Sequence, residues 1–210
     1  MLDLHTHTLL SDGELLPSEL LRRAAVKGVK YLALTDHVDV TNVADVLAKL
    51  SKLKDYADDY DVEFLVGVEI THVPPRRIDR VVELAWREGA EIVLVHGETV
   101  AEPVAEGTNR AAIESEVSVL AHPGLLSLED AELAAKNGIY LEISARKGHS
   151  LTNGLVARLA DEVGAKLVFG SDAHSFGDLL SPHEIGKVIA GSGTKQNVLE
   201  NAEKLFKKLR

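Results

Sequence analysis

Seven short apolar, β-branched runs recur along the 210-residue chain, each parted from the next by a segment with helical spacing. This alternation limits the fold more than any other feature. The runs are Leu2–Leu4, Tyr31–Leu34, Glu63–Val68, Ile92–Val95, Val117–Ala121, Ile139–Ile143 and Lys166–Phe169. Amphipathic stretches lie between them at Pro17–Lys27, Val43–Asp59, Ile78–Glu88, Glu129–Asn137 and Leu151–Val163. Pro17 suits a first helical turn, and Gly28, Gly89, Gly138 and Gly164 stand where helices should stop. Strands alternating with helices call for βα units around a parallel sheet. With no linker, low-complexity tract or repeat in the way, the pattern predicts one α/β barrel domain over 1–210. A doubly wound open sheet is the alternative. Residues Gly191 to Arg210 read as a closing helix with Asn197 and Asn201 on a solvated face.

The ends of these runs carry the chemistry. The first ends in His5-Thr6-His7, the second in Thr35-Asp36-His37, the third in Gly67-Val68-Glu69 and the fourth in Val95-His96-Gly97. The fifth ends in Ala121-His122-Pro123 and the seventh in Ser171-Asp172-Ala173-His174, while the sixth, Tyr140-Leu141-Glu142-Ile143-Ser144, brings no histidine. Strand side chains alternate faces, so His5 and His7 point the same way, about 7 Å apart. In α/β barrels the carboxyl ends of the strands gather into one mouth, where active sites are built. Six strand ends presenting His, Glu or Asp there would repel and desolvate one another unless cations compensated them, so a polynuclear metal site is expected.

Composition narrows the partners. The chain has no cysteine, which removes disulfides and thiolate metal sites and is compatible with a cytoplasmic home. No basic-then-apolar leader and no long uncharged apolar segment are present, so neither a signal peptide nor a membrane span is expected. A net charge of −10 argues against a general nucleic-acid binder.

The ordered motifs, His5-x-His7 with Ser11-Asp12-Gly13, Thr35-Asp36-His37, Gly67-Val68-Glu69, His96, Ala121-His122-Pro123 and Ser171-Asp172-Ala173-His174, resemble the polymerase and histidinol phosphatase (PHP) superfamily from residue 2 to about 185. The resemblance implies a distorted (β/α)7 barrel and hydrolysis of phosphate esters with three bound metals. It also implies a ligand set. His5, His7, Glu69 and Asp172 would hold the first metal. Glu69 would bridge to a second, which His96 and His122 also bind. Asp12, His37 and His174 would hold the third. Asp12, Glu69, Asp172 and His174 are the residues expected to serve catalysis directly.

A donor set of imidazole and carboxylate suits zinc, manganese or iron. Two metals sharing Glu69 would lie about 3.5–4 Å apart and could generate a hydroxide that attacks phosphorus. Against three divalent ions, Asp12, Glu69 and Asp172 leave a core of about +3, enough to draw a small anion into an acidic protein. Arg76 and Arg77 after the third strand, Arg110 after the fourth, and Arg146, Lys147 and His149 after the sixth are expected substrate contacts, with His72 beside them. Arg110 and Arg146 are the first choices. Asp36 and Ser171 serve either as orienters of ligands or as turn residues. His183 reads as a surface histidine and Trp86 as packing. The substrate expected is a small phosphomonoester such as histidinol phosphate, a nucleotide or a sugar phosphate. Two alternatives stand beside it. An amidohydrolase-like C–N hydrolase also opens with His-x-His, but many of those bridge their metals through a carboxylated lysine after the fourth strand, where this chain has His96. A noncatalytic RNA-associated subunit would want a basic face and could dispense with the ligands.

Overall fold

The computed structural model describes residues 1–210. Eight strands, β1 (Leu2–Asp3), β2 (Tyr31–Leu34), β3 (His37–Val38), β4 (Glu63–Ile70), β5 (Ile92–His96), β6 (Val119–Ala121), β7 (Tyr140–Ser144) and β8 (Leu167–Gly170), form a wholly parallel sheet. β2 and β3 are one strand with a break. Leu34 pairs Val66 and His37 pairs Glu69, so the register to β4 is the same on both sides of Thr35-Asp36. The spatial order is therefore seven strands in sequence, and the ring nearly closes where Thr6 bridges Ala173. The barrel predicted from the alternation is the observed fold, and the open sheet is not.

Closure and site share residues. The His7 amide donates to the Ala173 carbonyl at 2.9 Å and the Asp172 amide to the His5 carbonyl at 2.9 Å, so the seam runs through the strand ends that carry the polar motifs. Inside the barrel Leu2, Leu4, Ala33, Leu65, Ile92, Leu94, Val119 and Val168 pack together, with Ala202, Leu205 and Phe206 of α8 (Val198–Leu209) joining them. Burying Phe206 alone is worth about 1.5–3 kcal/mol. A second and larger apolar layer lies between the strands and α1 (Pro17–Val26), α2 (Val43–Ser51), α3 (Ile78–Arg87), α4 (Thr108–Ile113), α5 (Leu128–Asn137), α6 (Asn153–Val163) and α7 (Pro182–Ser192). No helix is long and apolar enough to cross a membrane.

Three segments depart from the sequence expectation. The helix expected over Val43–Asp59 stops being α at Ser51 and tightens to 3₁₀ over Lys52–Asp59, because that polar stretch buries no residue to hold an α-helical face. The helix α4 was not expected; its six residues are too few to show a period. The tail is two helices. α7 ends at Gly193, in the left-handed region, and α8 starts only after the Asn197 cap. Asn201 is not solvated as expected, since its amide donates to the Leu167 carbonyl of β8 at 3.1 Å.

Candidate metal centre

At the carboxyl ends of the strands the donors converge. His5 and His7 leave β1, His37 opens β3, Glu69 lies in β4, His96 ends β5, His122 follows β6, and Asp172 and His174 follow β8. Asp12 arrives on the loop after β1. Buried Asp36 shapes that loop by accepting from the Thr8 amide at 2.7 Å, the Thr8 hydroxyl at 2.8 Å and the Ser11 hydroxyl at 2.8 Å. The donors fall into overlapping groups whose ligand atoms lie within 4.8 Å of one another: His7, Asp12, His37 and His174; His5, His7 and Asp172; His5, Glu69 and His122; His96, His122 and His149.

Glu69 sits between two of these groups. Its Oε2 is 3.2 Å from His5 Nε2 and 3.6 Å from His7 Nε2, while its Oε1 is 3.3 Å from His122 Nε2. Asp172 divides likewise, with Oδ1 3.2 Å from His7 Nε2 and Oδ2 3.8 Å from His122 Nε2. His174 Nε2 is 3.2 Å and His37 Nε2 3.6 Å from Asp12 Oδ1. His122 and Asp172 adopt φ values of 26° and 55°, a left-handed backbone that non-glycine residues take at a cost. Such strain at ligand-type residues is expected where geometry is held for a task.

The centre carries its own test of fit for metal. His5 Nε2, both ring nitrogens of His7 and His122, both oxygens of Glu69 and Asp172 Oδ1 are buried without a hydrogen bond. Buried polar atoms are almost always paired, and each orphan costs roughly 1–3 kcal/mol. Orphans facing one another in an imidazole–carboxylate cluster are what divalent ions would satisfy, and the donor set fits them. In two of the histidines the ring nitrogen opposite the cluster is already engaged: His5 Nδ1 donates to Glu142 at 2.7 Å and His96 Nδ1 lies 3.1 Å from the Gly97 carbonyl, while His37 Nδ1 lies 2.6 Å from the Thr71 hydroxyl and 2.8 Å from Glu69 Oε2. Bonds of this kind aim the other nitrogen at a metal.

Electrostatics sort the donors. Burial pulls His7 down to about 3, so its ring is neutral at pH 7. Burial opposes the charge on His5, yet Glu142, Glu69 and Asp172 raise it well above the ordinary imidazole value. His96 is raised against its burial by Glu69 and Glu102, and His174 against its burial by Asp12 and Asp172. Asp12, Glu69 and Asp172 would be raised by burial, but the surrounding histidines hold all three below the carboxylate range. The carboxylates are therefore ready for metal, whereas His5, held well above the ordinary imidazole value, must first lose a proton, and His96 and His174 are shifted in the same direction. Metal binding at pH 7 should release protons, and affinity should climb with pH until those three rings are neutral. Calorimetry in buffers of differing ionisation enthalpy measures the release; none at pH 7 would contradict this electrostatic picture.

The expected substrate contacts divide. Arg146, His149 and His72 line a cavity of about 480 Å³ at the mouth together with Asp12, His37, His96, Asp172 and His174. Arg146 Nη1 donates to the Asp172 carbonyl at 3.2 Å and lies 2.8 Å from His174 Nδ1. Arg77 lines a neighbouring cavity of about 550 Å³ with Arg80 and Arg87, and His72 belongs to both. Lys147 and Arg76 are exposed and line neither cavity. Arg110 is a correction: α4 turns it toward α5, where Nε is 2.6 Å from Asp130, and it does not line the mouth. Neighbourhood in sequence to His96 misled, because the helix after it points its side chain away. His183 is exposed on the first turn of α7, and Trp86 donates to the Glu116 carbonyl at 2.7 Å as a packing residue.

Two carboxylates belong to the centre that the sequence reading passed over. Glu142 of β7 is buried and also accepts the His122 amide at 2.9 Å, holding two neighbouring donors. A charged residue within an apolar strand of a parallel barrel is buried on either face, and that was the available signal. Glu102, on the loop after β5, has Oε2 3.2 Å from His96 Nε2. The His96 bond lowers it to about 2. Among Glu98, Glu102 and Glu106 nothing in the sequence marks it.

With the geometry in hand, comparison with known proteins assigns the class. The PHP domain model matches residues 3–107, and the chain belongs to the PHP family. An uncharacterized protein of Methanocaldococcus jannaschii is 47% identical over 95% of this chain and 93% of its own. A Thermoanaerobacter protein named a probable phosphatase is 30% identical over 97% of this chain and 91% of its own. Two solved structures share the fold at 16% identity. One is from archaeal ribonuclease P with mature tRNA, with a TM-score of 0.75 over 100% of this chain and 91% of that one. The other is histidinol phosphate phosphatase of Lactococcus lactis with zinc, L-histidinol and phosphate, with a TM-score of 0.64 over 92% and 94%.

Proposed function

We propose that the chain is a metal-dependent phosphoesterase acting on a small phosphomonoester. The observation that carries this is the buried set of unbonded donors around Glu69, spread over four overlapping groups. Bound divalent ions would supply Lewis-acid charge and activate water for attack on phosphorus. His5, His7, Glu69 and Asp172, then Glu69, His96 and His122, then Asp12, His37 and His174 would hold three of them. The chain's own contribution is to fix these donors and shape the mouth. Glu142 orients His5 through its distal nitrogen, and Thr71 and Glu69 both lie against Nδ1 of His37. Arg146, half-buried at the mouth, adds a cation where a phosphate oxygen would lie, and Arg77 offers a second one toward the rest of the substrate. Kinship with a probable phosphatase supports the chemistry, and the ligands of the Lactococcus enzyme make histidinol phosphate the first substrate to try, followed by nucleotide and sugar phosphates.

An RNA-associated role has the ribonuclease P likeness behind it, which at 16% identity concerns the fold alone. The net charge of −10 weighs against it. A monoester dianion presents three oxygens to three metals, whereas a diester presents fewer charged oxygens and a second bulky group. With one alcohol offered as monoester and as methyl diester at constant metal loading, kcat/KM should be higher for the monoester. A higher value for the diester would overturn the monoesterase reading and leave the metal centre standing.

A further inference from the structure

His149 lies outside the ligand set that the PHP resemblance implies, yet the fold treats it as a donor. It is 3% exposed, deeper than a rim contact to substrate would need. Its ring stacks on His122 with centroids 4.1 Å apart and meets His96 edge-on at 5.8 Å. Its ligand atom falls within 4.8 Å of those of His96 and His122.

Two features, one a side-chain hydroxyl and one a backbone approach, fix this placement. The Thr99 hydroxyl lies 2.6 Å from His149 Nδ1 and accepts the Ala101 amide at 3.3 Å. With Nδ1–H donating to Thr99, the Nε2 lone pair is bare, and Nε2 faces the centre at 3.6 Å from Asp172 Oδ2 and 3.6 Å from Glu102 Oε1. This is the arrangement in which an outer hydroxyl sets the tautomer of a metal-binding imidazole. The loop that carries Thr99 can approach only because position 148 is glycine: a Cβ there would lie 2.9 Å from that of Ala101, and its φ is +94°. The segment before His149 and the loop after β5 are thus pressed together at the point where the ring is aimed.

We propose that His149 Nε2 is a further protein ligand to the ion held by His96 and His122, with Thr99 as its positioning residue. Together with Glu69 that ion would then have three imidazoles and a carboxylate, a donor set that favours zinc-type ions and binds them more firmly than two histidines could. The proposal rests on the metal-centre reading and is independent of which ester, if any, is hydrolysed.

The test is zinc affinity by competition with a chromophoric chelator on the full chain, together with the visible spectrum of the cobalt-loaded protein. His149→Ala should weaken one binding step by roughly 100-fold and alter the cobalt bands, leaving the other steps alone. Thr99→Val, which keeps His149 and the side-chain volume, should weaken the same step by roughly 10-fold. Glu102→Gln should have a smaller effect than His149→Ala. Unchanged affinity and spectrum in His149→Ala, with any loss confined to KM, would make the residue a substrate contact and overturn the proposal. So would a loss in Glu102→Gln without one in His149→Ala. A wild-type protein that takes up no metal would overturn the metal centre itself, a separate result.

Discussion

Replacing His122 with alanine is expected to lower kcat/KM at least about 10³-fold while the protein stays folded, and replacing His183 to leave it nearly unchanged. The two residues have the same chemistry and opposite surroundings. His122 is buried, strained at φ 26° and faces Glu69 and Asp172 with a ring nitrogen that has no hydrogen bond. On the proposed reading, removing it takes a donor from the ion that Glu69 would share, and a factor of 10³ corresponds to about 4 kcal/mol of lost transition-state stabilisation. Losing an unpaired buried ring offsets part of the structural cost of the truncation. His183 stands exposed at the start of α7, where substitutions change stability by about 0.5 kcal/mol or less. Steady-state kinetics on both variants at fixed metal loading decides between them. Equal damage would mean that ligand and bystander have been sorted wrongly.

The second large effect concerns a glycine. A Cβ at Gly170, the last residue of β8, would lie 1.9 Å from Glu142 Oε1 and 2.7 Å from His5 Cβ. Neither neighbour can retreat freely. Glu142 is held by His5 Nδ1 and the His122 amide, and His5 continues β1 at the barrel seam. Gly170→Ala should therefore cost about 1–3 kcal/mol through overpacking. It should also lower metal affinity, because Glu142 must leave the His5 ring it orients. Gly186 in α7 is the control: nothing lies within 4 Å of the added carbon, so Gly186→Ala should stabilise by about 0.5–1 kcal/mol. Thermal melts with and without metal should separate the two, the Gly170 variant losing most of the metal-induced rise. A Gly170→Ala protein as stable and as metal-responsive as the parent would refute this packing account.

Much of this centre was legible before the fold because a barrel turns a one-dimensional pattern into a place. Once His5, His37, Glu69, His96, His122 and Asp172 are each seen to end an apolar run, a parallel sheet brings them together without further information. What stayed hidden depends on direction. Arg110 and His149 both follow strands, yet a short helix turns the first outward to Asp130 while Gly148 and Thr99 turn the second inward. Glu142 needed the knowledge that its strand is covered on both faces, and Glu102 needed the path of a loop. The split tail was hidden for a different reason: Gly191 and Gly193 allowed a helix to be extended through them on paper, whereas only Gly193, at positive φ, marks the real end.

Elemental analysis of the purified chain, before and after chelation and reloading, measures directly whether the strand ends hold metal. Two to three transition-metal ions per chain are expected, restored on reloading together with a rise in melting temperature, because the clustered donors regain compensating charge. A protein that carries none, and acquires none when manganese or zinc is supplied, would contradict the account.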